Sequence, residues 1–508
     1  MVSTRLLLLS AAFLFLTSAA TIKKCRDETF QNPVLYEDYP DNDISVGPDG
    51  AFYFSASNFH YSPGAPILRS LDLVNWEPVG HSIPRLNFGD GYDLPPGGPR
   101  AYRGGTWAST LRYREITWVF TASSVEGPWY NRANFGGGNC MYDNGLLIDD
   151  NDTMYVVYGN GKVSVSQLAA DGLSVVKTQQ ASDVNTETVE GNRMYNINGT
   201  YYILNDQPGS TTYIWKSSSP WGPYEAKILG QNIAPPLEGG NSPHQGSLIK
   251  TAQGDWYFMS FTWAYPAGRM PVLAPIVWGA DGFPEIQRRL GSSYPLPLPS
   301  QPLYNWTRTY TFGSELGPTW EWNHNPDVAS FEINNGVTLR TASVTEDIYS
   351  ARKTRTHRIH GEFPKGTVEI DFSNMADGDR FGLAAFRDQT AYIGIHRNGS
   401  EYALKAIQGI IIDEWSGNPV DSGKEVASAP VPSGVTKVWF RAELDARPTG
   451  TRDADFFYSF DGVEFTKLGD MYELYSGWAF FIAYRFGIFN FATTQLGGSI
   501  KVNTFTAA

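Results

Sequence analysis

Cysteine is nearly absent: of 508 residues, only Cys25 and Cys140 carry a thiol. That excludes a disulfide-dense scaffold and a cysteine-built zinc centre, and leaves one Cys25–Cys140 disulfide as the option in an oxidising compartment. Positive charge is also short. The chain has 39 Lys and Arg against 52 Asp and Glu, a formal net charge of −13, which disfavours nucleic acid as a partner. Charged residues make up 18% and hydrophobic ones 42%, too little charge for a disordered chain and ample apolar material for large cores. Beyond residue 20 no apolar run is long enough to span a bilayer, so no membrane is expected as a partner. Missing too are a Gly-rich phosphate loop, a Gly-x-Ser-x-Gly elbow and a cluster of ligands at metal spacing. Acidic residues remain as the candidates for chemistry.

The first 20 residues read as a secretory signal peptide: Arg5, the apolar run Leu6–Leu16, then the small residues Ser18-Ala19-Ala20. The mature chain is therefore expected outside the cell, where the Asn-x-Ser/Thr sequons at Asn151, Asn198, Asn305 and Asn398 become glycosylation acceptors. The length predicts two domains of roughly 200–300 residues each. The 51 Gly, 32 Pro, 15 Trp and 28 Tyr suit many short strands joined by tight turns, with aromatic surfaces of the kind that stack on sugar rings.

An internal repeat supports an all-β fold. Asp49-Gly50-Ala51-Phe52-Tyr53, Asn151-Asp152-Thr153-Met154-Tyr155, Asn198-Gly199-Thr200-Tyr201-Tyr202 and Gln253-Gly254-Asp255-Trp256-Tyr257 each place turn residues before a strand, a β-hairpin signature. A second marker recurs after each: Asp72 to Trp76, Gly127-Pro128-Trp129, Asp171 to Ser174, Gly222-Pro223-Tyr224 and Asp281 to Pro284. Five units of about 50 residues predict a five-bladed β-propeller over residues 30–298. In the second unit Leu111 to Glu115 runs straight into Ile116 to Thr121, which leaves no room for a central hairpin and predicts a shortened blade. The proline-rich stretch at 292–304 cannot continue a sheet, and alternating strands after it predict a β-sandwich over 304–508.

Inner strands of a propeller converge on a central channel, so acidic residues that begin successive inner strands can meet there. Asp41, Asp143 and Glu190 hold such positions in the first, third and fourth units. Hydrolysing a glycosidic bond needs a proton donor for the leaving oxygen and a carboxylate to activate water or attack carbon. Three carboxyls in one pocket also repel one another and raise a pKa.

These motifs resemble glycoside hydrolase family 43. The likeness is carried by Asn32-Pro33-Val34-Leu35 with Pro40-Asp41-Asn42-Asp43-Ile44, Ser62-Pro63-Gly64-Ala65-Pro66, Val189-Glu190-Gly191 with Tyr195, Pro243-His244-Gln245-Gly246 and Gly268-Arg269 with Pro271-Val272-Leu273. Tyr484-Arg485-Phe486-Gly487-Ile488-Phe489-Asn490 resembles the concanavalin-like C-terminal domain of its β-xylosidases. The resemblance implies Asp41 as general base, Glu190 as general acid and Asp143 as the acid that tunes Glu190. It implies Trp107, Phe59, Arg269 and His244 around the sugar, inversion at the anomeric carbon and no required cofactor. In some members calcium lies near the matching histidine; no metal is assigned to this chain. The activity so implied is secreted exo-hydrolysis of arabinoxylan or its oligosaccharides, releasing arabinose or xylose. The rival reading is a carbohydrate-binding protein whose shortened second blade has cost it catalysis.

Overall fold

A computed structural model describes residues 28–113, 120–133, 141–181, 189–286 and 290–508. The stretch read as a signal peptide, Cys25, Cys140 and residues 114–119 of the second unit lie outside the described residues. All long elements are strands. After β1 (Thr29–Gln31), the first four-stranded sheet holds β2 (Asp43–Val46), β3 (Phe52–Ser55), β5 (Gly64–Ser70) and β6 (Glu77–Ile83), with the short β4 (Tyr61–Ser62) set apart. A two-stranded pair follows, β7 (Phe120–Thr121) with β8 (Tyr130–Asn131).

Three more four-stranded sheets complete the series in simple chain order. They comprise β9 (Gly145–Ile148), β10 (Met154–Tyr158), β11 (Ser164–Leu168) and β12 (Val175–Gln180); β13 (Glu190–Ile197), β14 (Thr200–Gln207), β15 (Thr211–Ser217) and β16 (Glu225–Gln231); and β17 (His244–Lys250), β18 (Trp256–Trp263), β19 (Arg269–Trp278) and β20 (Pro284–Ile286). The four hairpin signatures in the sequence form the turns β2–β3, β9–β10, β13–β14 and β17–β18. Each second marker lies between the last two strands of its unit, and Gly127-Pro128-Trp129 falls between β7 and β8. The arrangement is propeller-like, with four four-stranded blades among the described residues.

The ends of this region are tied together. β1 pairs with β21 (Ser293–Pro295), and the Asn32 side chain bonds both ways with Leu273, donating to its carbonyl at 2.9 Å and accepting from its amide at 2.9 Å. Phe52 and Phe54 of the first sheet, with Trp76 from the turn before β6, share a core with Ile249, Tyr257 and Leu273 of the last, closing the ring by burial of apolar area.

Past the proline-rich stretch the chain forms a concanavalin-like sandwich of a nine-stranded and an eight-stranded sheet. Alternate residues point inward: Val368 and Ile370, Phe381 and Leu383, and Ile393 and Ile395 share one core between the sheets. The eight-stranded sheet also has an apolar outer face. Phe386, Tyr392, Phe489 and Phe491 pack there with Phe59, Tyr61 and Tyr102 of the propeller region. Strand β4 is itself the last member of that sheet, pairing Ser62 with Trp322 and Tyr61 with Asn323.

The junction is also ionic and dry. Glu321 accepts from Arg358 at 3.1 Å, from His81 at 3.0 Å and from Arg485, and all four side chains are buried. Asn58 Oδ1 accepts from the same two arginines, at 2.6 and 3.0 Å. Buried charges of this kind are tolerated only when each is paired and hydrogen-bonded, so the network fixes how the two regions sit together.

Candidate active site

The channel end that carries the starts of the inner strands gathers the acidic residues. Asp41 lies two residues before β2 with φ 59°, and Asp143 two before β9 with φ 45°. Aspartate tolerates this left-handed conformation better than most residues. Glu190 opens β13, where the pairing register slips between Glu190 and Arg193. Such a bulge re-aims the side chain at its end of the strand. β17 slips in the same place, between His244 and Ser247.

Arg193 holds the centre together. It is fully buried, its Nη2 donates to the carbonyls of Asp41 and Asn42 at 2.9 Å each, and its Nη1 donates to those of Asn144 and Asn192 at 3.2 and 2.8 Å. One guanidinium therefore spans the starts of three inner strands.

The three carboxyls occupy different surroundings. Asp41 is buried; its Oδ1 is 2.7 Å from Arg269 Nη1 and its Oδ2 accepts from Ser57 at 2.6 Å. Glu190 is half-buried, and its Oε2 accepts from the Tyr142 hydroxyl and from Asn160 Nδ2, each at 3.2 Å. Burial first, then the charge of Asp41, pushes the Glu190 pKa above the ordinary range; the Tyr142 hydrogen bond and Arg269 oppose that shift. Asp143 is pushed up to about 7 by burial and then by Asp41 and Glu190. Its Oδ2 accepts from the Gly191 amide at 3.0 Å. A carboxyl salt-bridged to a guanidinium thus stands near carboxyls that resist ionisation, and two such different environments can support base and acid chemistry.

With this geometry in view, comparison with known proteins is decisive. The model of glycosyl hydrolases family 43 matches residues 30–284, and that of the β-xylosidase C-terminal concanavalin A-like domain matches residues 310–507. The chain belongs to glycosyl hydrolase family 43. A solved family 43 enzyme, whose active site was engineered to display both endo-xylanase and exo-arabinofuranosidase activity, is 41% identical over 95% of this chain and all of that one, with a TM-score of 0.89. A non-reducing end α-L-arabinofuranosidase of Bacteroides ovatus is 29% identical over 76% of this chain and 80% of its own length. A β-xylosidase of Formosa agariphila is 25% identical over 94% and 90% respectively.

The other residues singled out from the sequence surround the acids of this glycoside hydrolase. Arg269 is buried, and its guanidinium lies 5.3 Å from the ring centre of Phe59. Phe59, with 1% exposure, stands behind Trp107 at 4.8 Å, while Trp107 itself is 36% exposed. His244 is buried between Phe261 and Trp263, with Nδ1 2.9 Å from the Ser242 carbonyl, and burial lowers its pKa to about 4. Among the described residues no group of three or more His, Cys, Asp or Glu side chains is arranged to hold a metal ion.

Several neighbours were not singled out from the sequence. Tyr142 and Asn160 bond the Glu190 carboxyl directly. The sandwich contributes Phe481, 5.3 Å from Trp107, and Trp478, stacked on Trp263 at 5.5 Å. Asp38 fixes this loop to the site: its Oδ1 accepts from the Arg269 amide at 2.8 Å and its Oδ2 from the Ala483 amide at 3.1 Å. Adjacency to Asp143 was the available signal for Tyr142; nothing local marks a loop more than 400 residues downstream of Asp41.

Proposed function

We propose that this chain is an inverting exo-glycosidase that removes α-L-arabinofuranosyl or β-D-xylosyl units from arabinoxylan or its oligosaccharides. Asp41 takes a proton from the attacking water, Glu190 protonates the departing glycosidic oxygen, and Asp143 keeps Glu190 aligned and protonated. The observation that carries the reading is the contrast between Asp41, salt-bridged to Arg269, and Glu190, held above its ordinary pKa beside it. Arg269 orients Asp41 and faces substrate hydroxyls together with His244, while Trp107, backed by Phe59, offers its exposed face to the sugar. The Phe481 loop walls the pocket and favours removal of terminal units. The named activities of the relatives support the substrate class.

The same reading takes residues 30–298 as a five-bladed propeller and 304–508 as the sandwich. The β7–β8 pair is then the outer half of the second blade, because its turn carries the marker that joins the third and fourth strands elsewhere. Export through the leader at 1–20 supplies the oxidising route for a Cys25–Cys140 disulfide and for glycosylation. Exposure of Asn151, Asn198, Asn305 and Asn398 supports the latter.

Chromatography of the products from wheat arabinoxylan and xylo-oligosaccharides tests the proposal. Arabinose or xylose is expected from the earliest time point. Oligosaccharides appearing first would contradict exo action, and no release by the folded protein would favour a binding function.

A further inference from the structure

The assignment of Asp41, Asp143 and Glu190 leaves a fourth carboxyl unused at the same end of the channel. Asp206, on β14, is fully buried and stands opposite Glu190 in the β13–β14 register. Neither of its carboxyl oxygens has a hydrogen-bond partner among the described residues. Gly191 explains why it fits there. With φ 68°, this glycine has its Cα over the Asp206 carboxyl, and a Cβ at Gly191 would lie 2.1 Å from Asp206 Oδ1 and 2.7 Å from Gln245 Cγ. The Gly191 amide is held by Asp143 Oδ2. The Glu190–Gly191 corner is thus clamped between two carboxyl side chains.

The charges facing Asp206 are Glu190 and Arg193 from β13, Asp143 from the loop before β9 and Asp41 from the loop before β2. On its other sides β15 sets Thr212 opposite it, and β17 brings Gln245 to the same corner. Arg193 gives little relief, since both its Nη atoms are committed to backbone carbonyls. An ionised Asp206 would face three carboxyls with no donor in place of water, so the site accommodates the neutral form. Burial, then Glu190, Asp143 and Asp41, hold its pKa well above the carboxylate range.

We propose that Asp206 is a positioning residue for Glu190, an uncharged carboxylic acid that props the Glu190–Gly191 corner without placing another negative charge beside the proton donor. The inference rests on Glu190 being that donor. An uncharged prop leaves the proton affinity of Glu190 to be set by burial, Asp41, Tyr142 and Arg269, and fixes where its carboxyl points.

Two variants test it, Asp206→Asn and Asp206→Ala. The Asn variant keeps shape and neutrality, so kcat within about threefold of the parent and an unmoved alkaline limb of the pH profile are expected. The Ala variant removes the prop and is expected to lose roughly a hundredfold in kcat with little change in KM, the usual consequence of a misplaced catalytic group. Infrared difference spectra of the parent minus Asp206→Asn supply a direct signature: one protonated-carboxyl carbonyl band is expected at working pH, while the bands of carboxyls common to both proteins, Glu190 among them, cancel. Absence of that band from the difference spectrum, or an alkaline limb moved down by about one pH unit, would overturn the proposal by showing a charged Asp206. Parental kcat in a merely destabilised Ala variant would overturn it as well. If the Ala variant does not fold, the infrared band and pH profile of the Asn variant decide alone. Failure of the Glu190 assignment would appear separately, as turnover retained by Glu190→Gln.

Discussion

Glu190→Gln is expected to lose turnover of xylosidic and arabinosidic linkages by roughly 10²–10⁴-fold, the contribution of a positioned general acid. Gln is isosteric and can keep the contacts with Tyr142 and Asn160, so the fold and sugar binding stay intact while the transferable proton is gone. Two further signs separate this from general damage. A nitrophenyl glycoside, whose leaving group departs without a proton, loses much less activity than a natural linkage. The alkaline limb of the pH profile, assigned to ionisation of Glu190, vanishes. Steady-state kinetics on both substrate types across pH checks all three, and equal losses on both would point to a misshapen pocket instead of a missing acid.

Glu321→Ala is expected to destabilise the protein by about 3–5 kcal/mol, the typical result of removing one partner from a buried ion network. Arg358 and Arg485 would be left close together in a dry interior with Asn58 as a shared neutral acceptor. The same two arginines bind the propeller region to the sandwich, whose Phe481 and Ala483 lie at the active site. A fall in the denaturant midpoint with an early loss of activity is therefore the predicted pattern. A change below about 1 kcal/mol would mean that water reaches the network and screens it.

Much of this molecule can be read from local sequence because local rules govern it. Turn residues that tolerate positive φ specified the hairpins at Gly50, Asp152, Gly199 and Gly254, and the acids that precede the inner strands did converge. What escaped reading is set by long-range packing or by register. From the turn at Asn198 and Gly199, where Ile197 pairs with Thr200, regular pairing would place Gln207 opposite Glu190; the bulge moves Asp206 there instead. No periodicity announces that slip. Equally, β4 joins the sandwich sheet through pairing between residues some 260 positions apart, a contact fixed by docking and not by propensity.

Phe59 shows the limit of transferring a position without its packing. The resemblance places it beside the sugar, and its ring is in fact closed off behind Trp107, Phe481 and Arg269. Trp107 keeps a face open to solvent, and the sandwich loop with Phe481 and Trp478 arrives from the far end of the chain.

The most direct test of the account is a proton NMR time course of arabinoxylan or xylo-oligosaccharide hydrolysis, read before mutarotation. With Asp41 activating water on the face opposite the bond that Glu190 protonates, the first sugar to appear carries the anomeric configuration opposite to that of the linkage cleaved. A first product of retained configuration would mean that a carboxylate attacks carbon directly, and would contradict the assignment of Asp41 as the base.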